Sequence, residues 1–219
     1  MGKSGIKAVI FDLDGTLLDT LEDLKSSLNY ALKNNGFPEK TLDETRNFVG
    51  NGIDKLIERS LPSGITGETR EKVRKDFLGH YSVHFADKTK PYEGVTEFLE
   101  KLKAKGIKTG VVSNKVDDAV NKLCRIYFGN LIDTAIGVAG DIPKKPMPDM
   151  LFLALRNLGC NTDTAVFVGD SEVDIQTAAN ARIPLISVSW GFRDKETLLR
   201  NGAVTLVSTA AELERVLNI

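Results

Sequence analysis

A chain of 219 residues, 42% hydrophobic and 27% charged, can bury a real core in one large domain or in one domain carrying an insert. Its formal net charge of -1, with no long run of either sign, argues against general binding to nucleic acid or a membrane surface and leaves room only for a local basic pocket. No apolar run is long enough to span a bilayer, the opening MGKSGIK lacks an apolar signal core, and Cys124 and Cys160 stand far apart without metal-type spacing, so the expectation is a cytoplasmic protein with reduced cysteines.

The first predicted element is a buried strand, Ala8-Val9-Ile10-Phe11, a short β-branched and aromatic run bounded by turn residues. After Thr20 the pattern turns helical, with Leu21, Leu24, Leu28, Ala31 and Leu32 at three- and four-residue spacings and Asn34-Asn35-Gly36 as the stop. Thr41 or Asp43 caps a short helix to about Phe48, and Val49-Gly50-Asn51-Gly52 makes a sharp loop. Further helices are expected over about 53–61 and 66–86, so no convincing strand lies between Thr20 and Lys88. From Tyr92-Glu93-Gly94 onward, helices over 95–105, 116–128, 148–158, 173–181, 195–200 and 210–217 alternate with strands over 107–112, within 131–138, and over 164–168, 185–188 and 204–207. This order predicts an α/β fold: a Rossmann-like, mostly parallel sheet with helices on both faces, built from residues 1–19 and 89–219 and interrupted by an inserted helical domain over 20–88.

Chemistry-bearing residues recur at predicted strand ends. Asp12 and Asp14 follow the first strand, and residues two apart on extended chain point to the same side. Two carboxylates held that close repel, and a hard cation such as Mg²⁺ is the simplest remedy; Asp and Gly are also ordinary turn formers. Ser113 and Asn114 end the second main strand, where a hydroxyl and an amide can hold phosphate oxygens or simply cap a turn. Lys145, in Lys144-Lys145-Pro146-Met147-Pro148-Asp149, offers a compact charge on a backbone stiffened by proline, or else belongs to a solvated basic loop. Asp170 stands at a strand end after Gly169, and Asp174 falls where helix capping alone would favour a carboxylate.

Taken together, Asp12-Leu13-Asp14-Gly15-Thr16, Ser113, Lys145-Pro146-Met147-Pro148-Asp149 and Gly169-Asp170-Ser171-Glu172-Val173-Asp174 resemble, in order, the four signatures of the haloacid dehalogenase-like phosphatases. The resemblance spans nearly the whole chain. Phe48 to Gly52 with Glu58-Arg59, Asp87 to Tyr92, and Ser113-Asn114-Lys115 are similar to bacterial phosphoglycolate phosphatases, whereas Gly137 to Lys144 and Glu172-Val173 depart from the common pattern. It implies Mg²⁺-dependent hydrolysis of a small phosphorylated metabolite, with 2-phosphoglycolate first. Asp12 would be the nucleophile that forms an aspartyl-phosphate, Asp14 the acid and then the base. Asp12, the Asp14 backbone carbonyl and Asp170 would hold the metal, with Asp174 either ligating or orienting Lys145. Ser113, Asn114, Lys145 and Thr16 would face the phosphate, Thr16 being typical of hydrolases there. The inserted domain would be a cap that shuts out water, with Gly50, Asn51 and Gly52 its candidate substrate contacts or a plain turn.

Other features carry less. His80 and His84 lie one turn apart without a third ligand, Lys55 is a poor Schiff-base candidate, Arg59 fits a substrate carboxylate or a plain surface role, and Trp190-Gly191-Phe192 either lines the cleft or packs. Pyrophosphate hydrolysis, sugar-phosphate hydrolysis or mutase activity, and a silent binding protein are the alternatives. Neither monomer nor homodimer is favoured.

Overall fold

The computed structural model describes residues 5–219; Met1 to Ser4, part of the opening segment read above for a signal core, lie outside the described residues. The chain forms two compact units, one holding the chain up to Leu18 with Pro91–Ile219 and the other Asp19–Lys90.

The larger unit is built on a six-stranded parallel sheet. Its strands are β1 (Ala8–Phe11), β4 (Lys108–Val116), β5 (Thr134–Val138), β6 (Ala165–Gly169), β7 (Leu185–Val188) and β8 (Leu206–Val207), in the spatial order β5-β4-β1-β6-β7-β8. The order runs outward in both directions from β1, which pairs Phe11 with Val111 on one side and Val168 on the other. The carboxyl end of β1 is therefore the topological switch point, where open α/β sheets leave a crevice. All four β1 residues are buried. Ala8 and Ile10 join the cluster with Met150, Leu151 and Leu155 of α7 (Asp149–Leu158) and Ala178 and Ala181 of α8 (Glu172–Ala181). Phe11 instead makes an edge contact with Phe98 of α5 (Val95–Ala104), centroids 6.1 Å apart. Such two-sided burial explains why β1 reads as an unbroken apolar run rather than an alternating one. Helices α6 (Asp117–Phe128), α9 (Lys195–Arg200) and α10 (Ala210–Leu217) complete the unit.

Two strand boundaries differ from expectation. The second main strand extends to Val116 through an irregularity between Val112 and Val116, so Ser113, Asn114 and Lys115 lie on extended backbone rather than beyond it. The last strand is only Leu206–Val207, because Val204 is 96% exposed and contributes nothing to the core. Two short strands not anticipated, β2 (Leu18–Asp19) and β3 (Lys90–Pro91), pair with each other where the chain passes between the units.

The smaller unit is helical: α1 (Leu21–Asn34), α2 (Leu42–Phe48), α3 (Ile53–Ser60) and α4 (Gly67–His84). Leu24, Leu28, Ala31 and Leu32 of α1 and Val73, Phe77 and Tyr81 of α4, spaced four residues apart, are buried. Thr41 caps α2 through a reciprocal pair, its hydroxyl accepting from the Glu44 N–H and its N–H donating to the Glu44 carboxylate at 2.8 Å. Buried Asp23 ties α1 to the end of the unit. Its carboxylate accepts from the Lys88 N–H at 3.0 Å, the Thr89 N–H at 2.8 Å and the Thr89 hydroxyl at 2.8 Å. His80 and His84 are stacked at 4.2 Å, with His80 on the Ser27 hydroxyl and His84 on Asp87. Among the described residues they join no cluster able to hold a metal. Arg59 donates to the Phe48 carbonyl and Lys55 pairs with Glu58, both on the surface. Among the described residues no helix is long and apolar enough to cross a membrane.

Asp23→Ala strands buried backbone donors. It should lower unfolding free energy by about 2–4 kcal/mol in urea titrations, and a change under about 0.5 kcal/mol would show that these bonds are not structural.

Candidate active site

The site forms where β1, β4 and β6 end. The Asp12 N–H still donates to the Val168 carbonyl, so Asp12 caps the β1–β6 ladder with its side chain beyond the apolar body of the strand. The chain then folds into a tight loop, with the Leu17 and Leu18 N–H groups both donating to the Leu13 carbonyl at 3.0 Å. This loop needs Gly15 twice over. Its φ is 85°, and a Cβ there would stand 2.2 Å from the Asp170 Oδ2. Gly191 makes a second bare-backbone approach, since a Cβ on it would come within 2.2 Å of the Gly15 carbonyl and 2.5 Å of the Asp170 side chain.

Asp170 is gripped from three sides. It accepts from the Phe192 N–H at 2.7 Å and the Thr16 hydroxyl at 3.2 Å, and the Gly15–Gly191 backbone encloses it. Trp190 donates its indole N–H to the Thr16 carbonyl at 3.0 Å, which locks the Trp190–Phe192 segment onto the β1 loop. Asp174 enters from the first turn of α8. Its Oδ2 accepts from the Ser171 N–H and hydroxyl in a capping box, and its Oδ1 faces Lys145. The capping role and the site role thus fall on different oxygens of one carboxylate.

Lys145 is the cation that these acids share. Its Nζ lies 2.8 Å from Asp12 Oδ1 and 2.8 Å from Asp174 Oδ1, its side chain only 2% exposed. The same ammonium sits 5.6 Å above the Phe167 ring. The Asn114 amide donates to the Lys145 carbonyl at 3.0 Å, linking the end of β4 to the lysine loop. Ser113 is buried two residues beyond Val111, the residue registered with Phe11. Lys144, in contrast, is exposed.

The electrostatics are unbalanced. Three buried carboxylates, Asp12, Asp170 and Asp174, bring ligand oxygens within 4.8 Å of one another, and Lys145 supplies one positive charge against them. Burial pushes the Asp12 carboxyl up to about 7, Lys145 opposing and Asp174 and Asp14 adding to the rise. Burial together with Asp12 and Asp174 holds Asp170 well above the carboxylate range despite the Phe192 N–H and the nearby Arg193. Burial alone would push the Lys145 ammonium down, but the charges of Asp12 and Asp174 outweigh it and keep the lysine protonated. Hard oxygen donors, buried and short of positive charge, fit a divalent cation. Asp14 differs from these three. It is 20% exposed and pairs with Lys115 at 3.0 Å.

All the predicted site residues of the larger unit (Asp12, Asp14, Thr16, Ser113, Asn114, Lys145, Asp170 and Asp174) come from four neighbouring strands, β5, β4, β1 and β6, and the segments that follow them. Gly50, Asn51 and Gly52 belong to the helical unit, where Gly50 and Gly52 have φ of 110° and 85° and Gly52 precedes α3. Sequence reasoning cited Lys115 only within the Ser113-Asn114-Lys115 resemblance and left Trp190-Gly191-Phe192 either lining the cleft or packing, with no individual role for Lys115, Gly191 or Phe192. The only signal for the last two was a glycine between aromatic residues after a strand, which is as common in ordinary packing.

The family model for haloacid dehalogenase-like hydrolases matches residues 9–188. The chain belongs to that family, and by class it is a phosphoric monoester hydrolase. Within the family it is phosphoglycolate phosphatase-like. It is 33% identical over 188 residues to the phosphoglycolate phosphatase of Aquifex aeolicus, covering 85% of this chain and 86% of the relative. A crystal structure from Lactobacillus delbrueckii subsp. bulgaricus, provisionally named a phosphoglycolate phosphatase, matches with TM-score 0.93 and 36% identity, covering 98% of this chain and 99% of that one. A predicted phosphoglycolate phosphatase from Haemophilus somnus matches with TM-score 0.90 and 26% identity, covering 98% and 99%.

Two outcomes are expected. Gly15→Ala combines positive-φ strain with a collision on Asp170 and should cost about 2 kcal/mol or more of stability and weaken divalent-cation binding at least about tenfold; unchanged calorimetric binding would contradict the cradle. In metal-free protein, stability should fall as pH rises from 5 to about 7. The unfolded Asp12 carboxyl, with a reference value of 3.8, has already lost its proton there, while the folded one retains it up to about 7; Asp170 acts with the same sign. Thermal melts in EDTA should show this slope in wild type and a shallower one in Asp12→Asn; a rising slope in wild type would contradict it.

Proposed function

We propose that the enzyme hydrolyses 2-phosphoglycolate to glycolate and phosphate through a phosphorylated Asp12. The observation that carries this reading is the pairing of Asp12 with buried Lys145 at 2.8 Å, at the switch point of the sheet. A carboxylate nucleophile meets a doubly charged phosphate monoester only if fixed positive charge offsets the repulsion. Lys145 supplies part of that charge and holds the nucleophile in place.

The donor set suits Mg²⁺, which Asp12 and Asp170 would hold together with the Asp14 backbone carbonyl, Asp174 ligating or acting through Lys145. When bound, the ion supplies the remaining positive charge and polarises the phosphoryl oxygens. The Asp12 carboxylate forms the bond to phosphorus as the ester bond breaks. Asp14 gives its proton to the leaving alkoxide, then takes one from the water that attacks the acyl phosphate. Ser113, Asn114 and Lys145 bind phosphoryl oxygens, and Thr16 holds Asp170 from the β1 loop. The helical unit, residues 20–88, serves as the cap that excludes bulk water and reads the leaving group. Gly50, Asn51 and Gly52 are its proposed contacts, because Gly50 and Gly52 leave the backbone bare at the start of α3. The substrate assignment draws support from the relatives named phosphoglycolate phosphatase.

Phosphate release should require Mg²⁺, stop with EDTA, and fall at least about 1000-fold in Asp12→Asn, with 2-phosphoglycolate favoured roughly tenfold over pyrophosphate and β-glucose-1-phosphate. Faster turnover of another ester would keep the mechanism and discard the substrate. No turnover of any phosphate ester by folded protein with Mg²⁺ would overturn the reading.

A further inference from the structure

Asp12 and Asp14 stand two residues apart, yet each has its own ammonium group. Lys145 lies 2.8 Å from Asp12, and Lys115 lies 3.0 Å from Asp14 Oδ2. The Lys115 side chain is 4% exposed against 20% for its partner, so the lysine is the fixed member of the pair and the carboxylate the accessible one.

The backbone that carries Lys115 is unusually constrained. It sits in the irregular end of β4, between Val112 and Val116. Gly137 of β5 presses against it: a Cβ on Gly137 would come 2.6 Å from the Lys115 carbonyl and 2.5 Å from the Asp117 Cα. The Gly137 N–H also donates to Asp117 Oδ1 at 2.8 Å. On the other flank, the Lys115 N–H leans on the Ser113 hydroxyl at 3.3 Å, and Asn114 is tied to the Lys145 carbonyl. Behind Asp14, the Cys124 thiol of α6 is pushed up to about 12 by burial and by the Asp14 charge, which leaves a neutral group there. Lys115 is thus a cation on a rigid mount.

We propose that Lys115 is a positioning residue for Asp14, holding its carboxyl at the end of β4, apart from the Asp12–Lys145–Asp174 cluster, and so placing it for proton exchange with the leaving group. This inference rests on the proposed phosphatase reading with Asp14 as acid and base. It concerns where the carboxyl sits. Lys145, the other buried ammonium, is already engaged by Asp12 and Asp174.

The test compares kcat/KM, which reports transfer of the phosphoryl group to Asp12, for 2-phosphoglycolate and for p-nitrophenyl phosphate. The alkoxide leaving group needs the proton; the nitrophenolate hardly does. Lys115→Met should lose about thirtyfold or more with 2-phosphoglycolate but no more than about fivefold with the aryl ester. Asp14→Asn should show the same bias more strongly. Lys115→Gln provides the same ratio if the Met variant does not fold, as judged by circular dichroism. Equal losses on both substrates, whether in kcat or through KM, would make Lys115 a structural or phosphate-binding residue and overturn the proposal while Asp14→Asn keeps its bias. Absence of bias in Asp14→Asn itself would instead overturn the reading on which the proposal stands.

Discussion

The ammonium group of Lys145, held between Asp12 and Asp174, is the interaction on which the rest of the site depends. An unpaired lysine at 2% exposure would not remain charged, and an unpaired acid beside it would be equally unfavourable. Bringing them together makes each tolerable. It also joins three elements, the end of β1, the loop before α7 and the first turn of α8, in one place. The sheet order makes this possible, because β1 lies in the middle with its neighbours diverging on either side.

The arrangement is stable yet deliberately incomplete. One ammonium does not neutralise three buried acids, and burial, with the neighbouring carboxylates adding to it, raises the carboxyls of Asp12 and Asp170. The surrounding structure keeps the deficit from relaxing. Gly15 and Gly191 bring backbone so close to Asp170 that the carboxylate has no room to swing away, and the Phe192 N–H and Thr16 hydroxyl fix its oxygens. Ser171 does the same for one oxygen of Asp174 and leaves the other for Lys145. A rigid cluster short of positive charge is suited to a hard divalent ion and to a phosphate that arrives with it.

Much of this was legible in the chain. The apolar run before Asp12, the helical period after Thr20 and the alternation after Tyr92 gave the fold class, since each follows from local burial geometry. Asp12, Asp14, Ser113, Lys145, Asp170 and Asp174 were readable as a set because in order they resemble the four family signatures; singly, each also fits a turn, a cap or a basic loop. The divided role of Asp174 was not readable, because capping and lysine contact use different oxygens of the same residue type at the same position. Lys115 was hidden for another reason. Its partner is 101 positions away in sequence, and the extension of β4 that buries it comes from contact with β5 and Gly137, not from any propensity of Ser-Asn-Lys. The pairing of β2 with β3 was likewise invisible, two residues being too short to carry a pattern.

The most direct test of the account is to identify the residue phosphorylated during turnover. Enzyme mixed with Mg²⁺ and 2-phosphoglycolate would be quenched in acid and reduced with borohydride, which converts an aspartyl-phosphate to homoserine, and the peptides mapped by mass spectrometry. The account predicts homoserine at position 12 and at no other position. Homoserine elsewhere, or none while phosphate is being released, would contradict the claim that the Asp12–Lys145 pair is the nucleophilic centre.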